Sequence, residues 1–254
     1  MMNRLYHIFL LALFAFGSTG ANAANLSDKA TADSLYAEGQ YEQAAAIYEA
    51  LLKEGEAAEL YYNLGNCYYK TEKLAYAILN YERAYRINPA DPDIEANLNF
   101  VRGLTLDKVN PPSELFFVTW WKDLANAFSM SSWKTIAIVC FILLLAGLLA
   151  YFFVSASLIR RIGFYATVTG ALLVVVSNLC AWTQSQSLQQ HDAAIITSPV
   201  STVYSSPNNT STHLFDIHEG TRVEILDQST EEWVEILLEE GKQGWAETKN
   251  LEII

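Results

Sequence analysis

A chain of 254 residues that is 52% apolar but only 17% charged departs from soluble globular domains, in which about a quarter of residues are charged. Its formal charge is nonetheless −12, and the charges are segregated: residues 24–111 hold 8 basic and 14 acidic side chains, residues 112–190 hold 4 and 2, and residues 191–254 hold 3 and 12. Two acidic pieces thus flank an apolar middle, and no segment carries the basic footprint of a polynucleotide-binding protein.

Residues 1–23 have the layout of a secretory signal: Arg4, then the apolar run Ile8–Phe16, then Ala21-Asn22-Ala23 as a small-x-small cleavage site. The run is too short to cross a bilayer, which takes about twenty residues, so cleavage after Ala23 is expected.

Residues 24–110 are self-similar. Tyr61, Leu64, Gly65 and Tyr68, followed by Ala77, Tyr81 and Pro89, resemble the W-x2-L-G-x2-Y…A-x3-F…P pattern of tetratricopeptide (TPR) repeats, with Tyr in place of Trp. Ala44, Tyr48 and Leu51 stand 33 residues before Ala77, Tyr81 and Ala84, which marks an earlier repeat turning at Gly39-Gln40-Tyr41. Ile94, Leu98 and Val101 predict a single capping helix over 93–105. Two repeats and a cap form a short array, expected to lean on a partner, a second copy or the helix that follows.

The resemblance implies a peptide-binding groove along the first helix of each pair, lined by Lys29, Asp33 and Tyr36 and by Tyr62, Asn66, Tyr69 and Lys70. Asp33 and Tyr62 stand where carboxylate-clamping relatives carry Asn and Lys, so an aromatic groove is expected rather than a clamp. The alternative is that these tyrosines only pack the helices together.

In residues 111–132, Phe117, Trp120, Trp121, Leu124 and Phe128 fall on one helical face after Pro111-Pro112. The helix either lies in the outer membrane interface or packs on the repeat domain. Within 133–184, Thr135–Ser155 and Ile162–Trp182 are each 21 residues without a formal charge, about 31 Å of helix. They predict a transmembrane hairpin turning at Arg160-Arg161, and the export signal then puts both flanking domains on the outer side, in the periplasm or exterior. Neither span holds a carboxylate, amine, guanidinium or imidazole, so the hairpin reads as an anchor. Gly147, Ala150, Ala166 and Gly170 are available for close packing. A turn near 158–160 places Cys140 and Cys180 at similar depth, within range of a disulfide, although a free cysteine is more often a small buried apolar group. Cys67 falls inside a repeat and is expected in its core.

Residues 185–254 alternate short runs of β-formers with turns. Gly220–Leu226, Trp233-Val234-Glu235-Ile236, Gly244-Trp245-Ala246 and Leu251-Glu252-Ile253 resemble the strands of bacterial SH3 domains, which implies a small all-β barrel. His213, Asp216, His218 and Glu219 are the one group of metal-ligand types, but His213 and His218 alternate to opposite faces, so solvated strand-edge residues are expected.

The fold class is thus a multi-domain membrane protein of TPR hairpins, a transmembrane hairpin and an SH3-like barrel. That order resembles the BatE-type proteins of the Bacteroides aerotolerance (Bat) family, on the strength of Tyr61–Pro89, Trp120–Leu124, the two-arginine turn and Gly244-Trp245-Ala246. The resemblance implies a two-span scaffold of a bacterial inner membrane, its N-terminal and C-terminal domains in the periplasm, working beside von Willebrand A-type Bat proteins and a MoxR-type ATPase in stress tolerance or envelope maintenance. No nucleophile–base pair, phosphate loop or zinc spacing is present, so a non-enzymatic adaptor without cofactor or metal is expected. The alternatives are a peptidoglycan sensor gripping the wall through its tail, and a thiol oxidoreductase, which needs a reactive cysteine.

Overall fold

The computed structural model describes residues 23–108, 115–189, 192–228 and 230–254. The expected signal run and the Pro111-Pro112 boundary lie outside the described residues.

The first part is a helical array: α1 (Ala23–Ala37), α2 (Tyr41–Glu54), α3 (Ala58–Lys70), α4 (Leu74–Ile87) and the cap α5 (Pro92–Arg102). Its hairpins repeat in detail. Gly39 (φ +81°) ends α1 and Glu72 (φ +61°), 33 residues later, ends α3 in the same left-handed turn. Each turn is closed by backbone bonds, Gln40 N–H to the Leu35 carbonyl in one and Lys73 N–H to the Tyr68 carbonyl in the other. Ala44, Tyr48 and Leu51 of α2, and Ala77, Tyr81 and Ala84 of α4, are buried at matching positions. Gly65 lets α4 sit tightly on α3: a Cβ there would lie 2.8 Å from the Tyr81 ring. Asp91 caps α5 by accepting from the Asp93 N–H, with Pro92 at its first position, and Ile94, Leu98 and Val101 face the array.

The middle holds α6 (Phe116–Asn126), α7 (Met130–Phe153) and α8 (Ser157–Gln189). Helices α7 and α8 are long and apolar enough to cross a membrane. Only 11% and 17% of their most apolar windows are buried, unlike the core helices of a soluble domain. They pack through small residues. A Cβ on Gly147 would come within 2.8 Å of the Gly163 carbonyl, and one on Gly163 within 2.7 Å of the Gly147 carbonyl, while Gly170 abuts Leu144 and Cys140. The turn falls at 154–156, earlier than the 158–160 read from the sequence. That shift overturns the expected depth of the cysteines. Cys140 lies beside Gly170, whereas Cys180 packs with Ala125 and Trp133, about ten residues or ~15 Å further along. Both thiols are free. Helix α8 also runs on beyond Trp182 to Gln189.

On that extension sits α6. Trp121 Nε1–H donates to Thr183, and Gln184 Nε2 donates to the Ala125 and Phe128 carbonyls at 2.7 and 2.8 Å. The aromatic face expected to be uniform is therefore divided. Trp121 and Leu124 pack on the hairpin, while Phe116, Phe117 and Trp120 stay exposed.

The last part is an antiparallel sheet of β1 (Ala193–Ile196), β2 (Val200–Tyr204), β3 (His213–His218), β4 (Arg222–Asp227), β5 (Trp233–Leu237), β6 (Gln243–Glu247) and β7 (Leu251–Ile253). Strands β4 to β7 fall where the four segments read from the sequence put them, but the expected closed barrel does not form. The order β3-β2-β6-β5-β4-β1-β7 is open, with β3 and β7 at its ends. Gly244 on β6 is pinned against β2, since a Cβ there would lie 2.6 Å from Val203 and 2.8 Å from the Tyr204 carbonyl. One core takes Ala194, Ile196, Val203, Ile217, Val223, Val234, Ile236, Ala246 and Leu251, so every strand contributes.

The other side of β1 explains the open end. Ala193 and Ile195, with Ile254, join Ala75, Ile78, Leu79 and Leu98 in a core shared with the helical array. The edge carbonyls meet guanidinium groups: Arg83 donates to the Ile253 carbonyl and Arg86 to that of Ile254. The β3–β4 turn is wedged against α4 and the loop after α5. Gly220 (φ +82°) leaves no room for a Cβ, which would lie 2.8 Å from Ile78 and 2.9 Å from Thr105. Asp107 completes the seam by accepting from His218 N–H (2.7 Å), His218 Nδ1 (3.0 Å) and Thr221 Oγ1 (2.9 Å). The short array therefore leans on the chain's own sheet, a support absent from the three expected.

Candidate functional site: the groove of the helical array

With the sheet against α4, the face formed by α1, α3 and α5 remains open. Tyr36, Asn66, Tyr69, Lys70, Tyr81, Asn97, Phe100 and Val101 surround a cavity of about 250 Å³ there. Four of the seven residues expected in a groove, Tyr36, Asn66, Tyr69 and Lys70, meet in it.

The other three have structural partners. Tyr62 lies at the groove's base, where its ring contacts Tyr81 at 5.8 Å between centroids and its hydroxyl accepts from Asn97 Nδ2 at 2.8 Å. Lys29 and Asp33 are ion-paired at 2.8 Å, and Lys29 also reaches Glu59 at 2.9 Å. Hydrogen bonds to Asp33 and then Glu59 hold the Lys29 ammonium above its ordinary pKa. Asp33 in turn accepts from the Tyr48 hydroxyl at 2.6 Å. Burial opposes its ionisation, but Lys29 and Tyr48 outweigh that and keep the carboxyl below its ordinary value. Neither residue is free to clamp a ligand carboxylate.

The second repeat copies this bond with neutral chemistry. The Tyr81 hydroxyl donates to Asn66 Oδ1 at 2.6 Å, and Tyr81 and Asn66 lie 33 residues after Tyr48 and Asp33. Burial lifts the Tyr81 pKa well above normal, so it remains a donor at any physiological pH. The Asn66 carbonyl is thus committed, and its amide N–H groups remain to face the cavity. Lys70 is exposed and has no ion pair among the described residues.

Asn97 and Phe100 on the cap were not anticipated. Phe100 is 54% exposed and meets Tyr69 edge-on at 5.7 Å. A spacing in the sequence marks them: Asp33/Tyr36, Asn66/Tyr69 and Asn97/Phe100 each place an aromatic three residues after an oxygen-bearing side chain, on one face of successive helices. The groove offers aromatic faces, amide donors and one cation, a set suited to an extended peptide segment with apolar and acidic side chains.

Elsewhere, candidate chemistry is tied down. Cys67 is fully buried, and burial pushes its thiol up to about 12, so it stays protonated at neutral pH. His213 pairs with Asp216 at 3.1 Å and His218 with Asp107, so the supposed strand-edge cluster is divided and His218 serves the seam between sheet and array. No group of three metal-ligand residues occurs among the described residues.

No curated protein matches the chain. Residues 29–92, from α1 to the first residue of α5, match the family model described as tetratricopeptide repeat, and this part of the chain is TPR-like in sequence and in its paired helices.

Proposed function

We propose that this protein is a membrane-anchored, non-enzymatic adaptor that holds a partner protein in the groove of its TPR segment. The observation that carries this reading is the open aromatic groove on the face away from the sheet. TPR arrays act by binding protein segments, and here the convex face is already covered by the chain's own β1. In the proposal α7 and α8 cross the membrane, and the array and the sheet lie together on its outer side. The sheet, an opened relative of SH3-like barrels, braces the array. The piece order supports placing the protein with the Bat family, with von Willebrand A-type membrane proteins as partners in envelope stress or oxygen tolerance. The buried, protonated Cys67 supports a binding role over thiol chemistry.

The test is purification in mild detergent of the full chain and of the Tyr69→Ala/Phe100→Ala double variant. The von Willebrand A-type partner is expected with the parent chain and lost from the variant, with helicity unchanged. Its equal recovery with both proteins contradicts groove binding.

A further inference from the structure

A second, larger cavity of about 640 Å³ lies where the array, α6, the upper turns of α8 and the sheet converge. Its size falls among small-molecule sites, which span about 300–1,000 Å³. Its lining carries both signs of charge: Arg86, Lys122 and Arg222 on one hand, Asp192 and Glu224 on the other. Glu82 and Arg102, also in the wall, neutralise each other as an ion pair.

Two buried polar atoms of this lining have no hydrogen-bond partner within the protein, Arg86 Nε and Gln184 Oε1. Gln184 is 6% exposed, and its Nε2 is fixed by the Ala125 and Phe128 carbonyls, so the amide is oriented and its oxygen is left as an acceptor. A buried acceptor and a buried cationic donor left open are costly unless something fills them. A phosphate oxygen would satisfy Arg86 Nε, whose Nη1 already holds the Ile254 oxygen, and an N–H or O–H would satisfy Gln184 Oε1.

The position narrows the ligand. Trp182 lines the same cavity and is 61% exposed at the upper end of the apolar stretch of α8. Phe116, Phe117 and Trp120 are exposed on α6, which packs on α8 just above. Aromatic residues so placed favour the headgroup level of a bilayer. A simple anion is opposed by Asp192 and Glu224. A choline headgroup has no N–H to give Gln184 or those carboxylates.

We propose that this cavity binds the headgroup of a zwitterionic phospholipid bearing a primary ammonium, its phosphate held by Arg86 and Lys122 and its ammonium by Gln184 Oε1 and the neighbouring carboxylates. The inference rests on the reading that α7 and α8 cross a membrane.

The experiment is native mass spectrometry of the full chain released from mixed micelles of phosphatidylethanolamine, phosphatidylcholine and phosphatidylglycerol. A parallel arm offers soluble glycerophosphoethanolamine. Phosphatidylethanolamine is expected to be retained about tenfold over phosphatidylcholine, the ratio carried by one charge-assisted hydrogen bond. Arg86→Gln is expected to lower that retention by a similar factor, and Lys70→Gln, in the other cavity, to leave it unchanged. Arg86 also holds the Ile254 carbonyl, so Lys122→Gln, an exposed lining position, is the second variant and is expected to weaken retention without unfolding. Equal retention of the three lipids, preference for phosphatidylglycerol, or binding of the soluble headgroup without the lipid overturns the proposal. Alkaline extraction separates the two readings. A chain released from membranes refutes the spanning hairpin and this inference with it, whereas a chain that stays in the membrane and shows no lipid preference refutes this inference alone.

Discussion

The bond from Tyr48 to Asp33, repeated as Tyr81 to Asn66, shows how single side chains set both the packing and the groove. Both tyrosines are buried between paired helices, and the Tyr81 ring also lines the groove, core at its base and lining at its tip. Gly65 makes the second of these possible. With Tyr81 only 2% exposed the ring has nowhere to retreat, and Gly65→Ala is expected to destabilise the array by about 1–3 kcal/mol, read by thermal unfolding of the full chain. Glu72 is the opposite case. It occupies a left-handed turn that its counterpart Gly39 adopts without strain, and Glu72→Gly is expected to stabilise by up to about 1 kcal/mol in the same measurement. Gly65 was legible in the sequence because it falls within a repeat motif. The strain at Glu72 becomes legible once Gly39 is aligned with it at the 33-residue offset.

Elements were legible wherever a period governs them. The 33-residue repeat, the apolar helices and the short alternating strands all lie close to where their patterns put them. Depth within the hairpin was not, because the turn position is set by backbone packing at Gly147 and Gly163, and a shift of a few residues moves Cys140 away from Cys180. The seam between sheet and array was also hidden. Asp107 meets His218 across 111 residues and Arg83 meets Ile253 across 170, and no local pattern encodes such pairings. This seam has a pH signature. Burial opposes ionisation of Asp107, but the His218 N–H and side chain and the Thr221 hydroxyl outweigh it and hold the carboxyl below its ordinary 3.8. A depressed carboxylate contributes its stabilisation fully above the unfolded value and loses it as pH falls through the folded one. Acidification below about pH 4 is therefore expected to loosen the β3–β4 turn, with faster amide exchange at Gly220 and Thr221. Asp107→Asn is expected to show that faster exchange already at neutral pH and to flatten its acid dependence. Unchanged exchange in the variant contradicts a role for Asp107 in the seam.

At the scale of the molecule, the contrast between an apolar composition and a charge of −12 resolves into parts with different surroundings. The exposed apolar surface is concentrated on α6, α7 and α8, and the acidic surface on the array and the sheet. Because β1 is buried on both faces, one in the sheet's core and one against α4, these two acidic parts are joined and must share a compartment. The short TPR-like array gains a covered face along α4 from this arrangement and keeps its groove open. If α7 and α8 cross a membrane as proposed, this joining puts the groove and the sheet on one side of it and the hairpin turn on the other. Single cysteines at Lys70→Cys, Glu240→Cys and Arg160→Cys, labelled in intact cells with a membrane-impermeant maleimide, test it directly. The native thiols Cys67, Cys140 and Cys180 are buried and contribute little background. The first two positions are expected to label from outside once the reagent reaches the periplasm, and Arg160→Cys only after the inner membrane is permeabilised. Labelling of Arg160→Cys from outside, or of Lys70→Cys and Glu240→Cys from opposite sides, contradicts it.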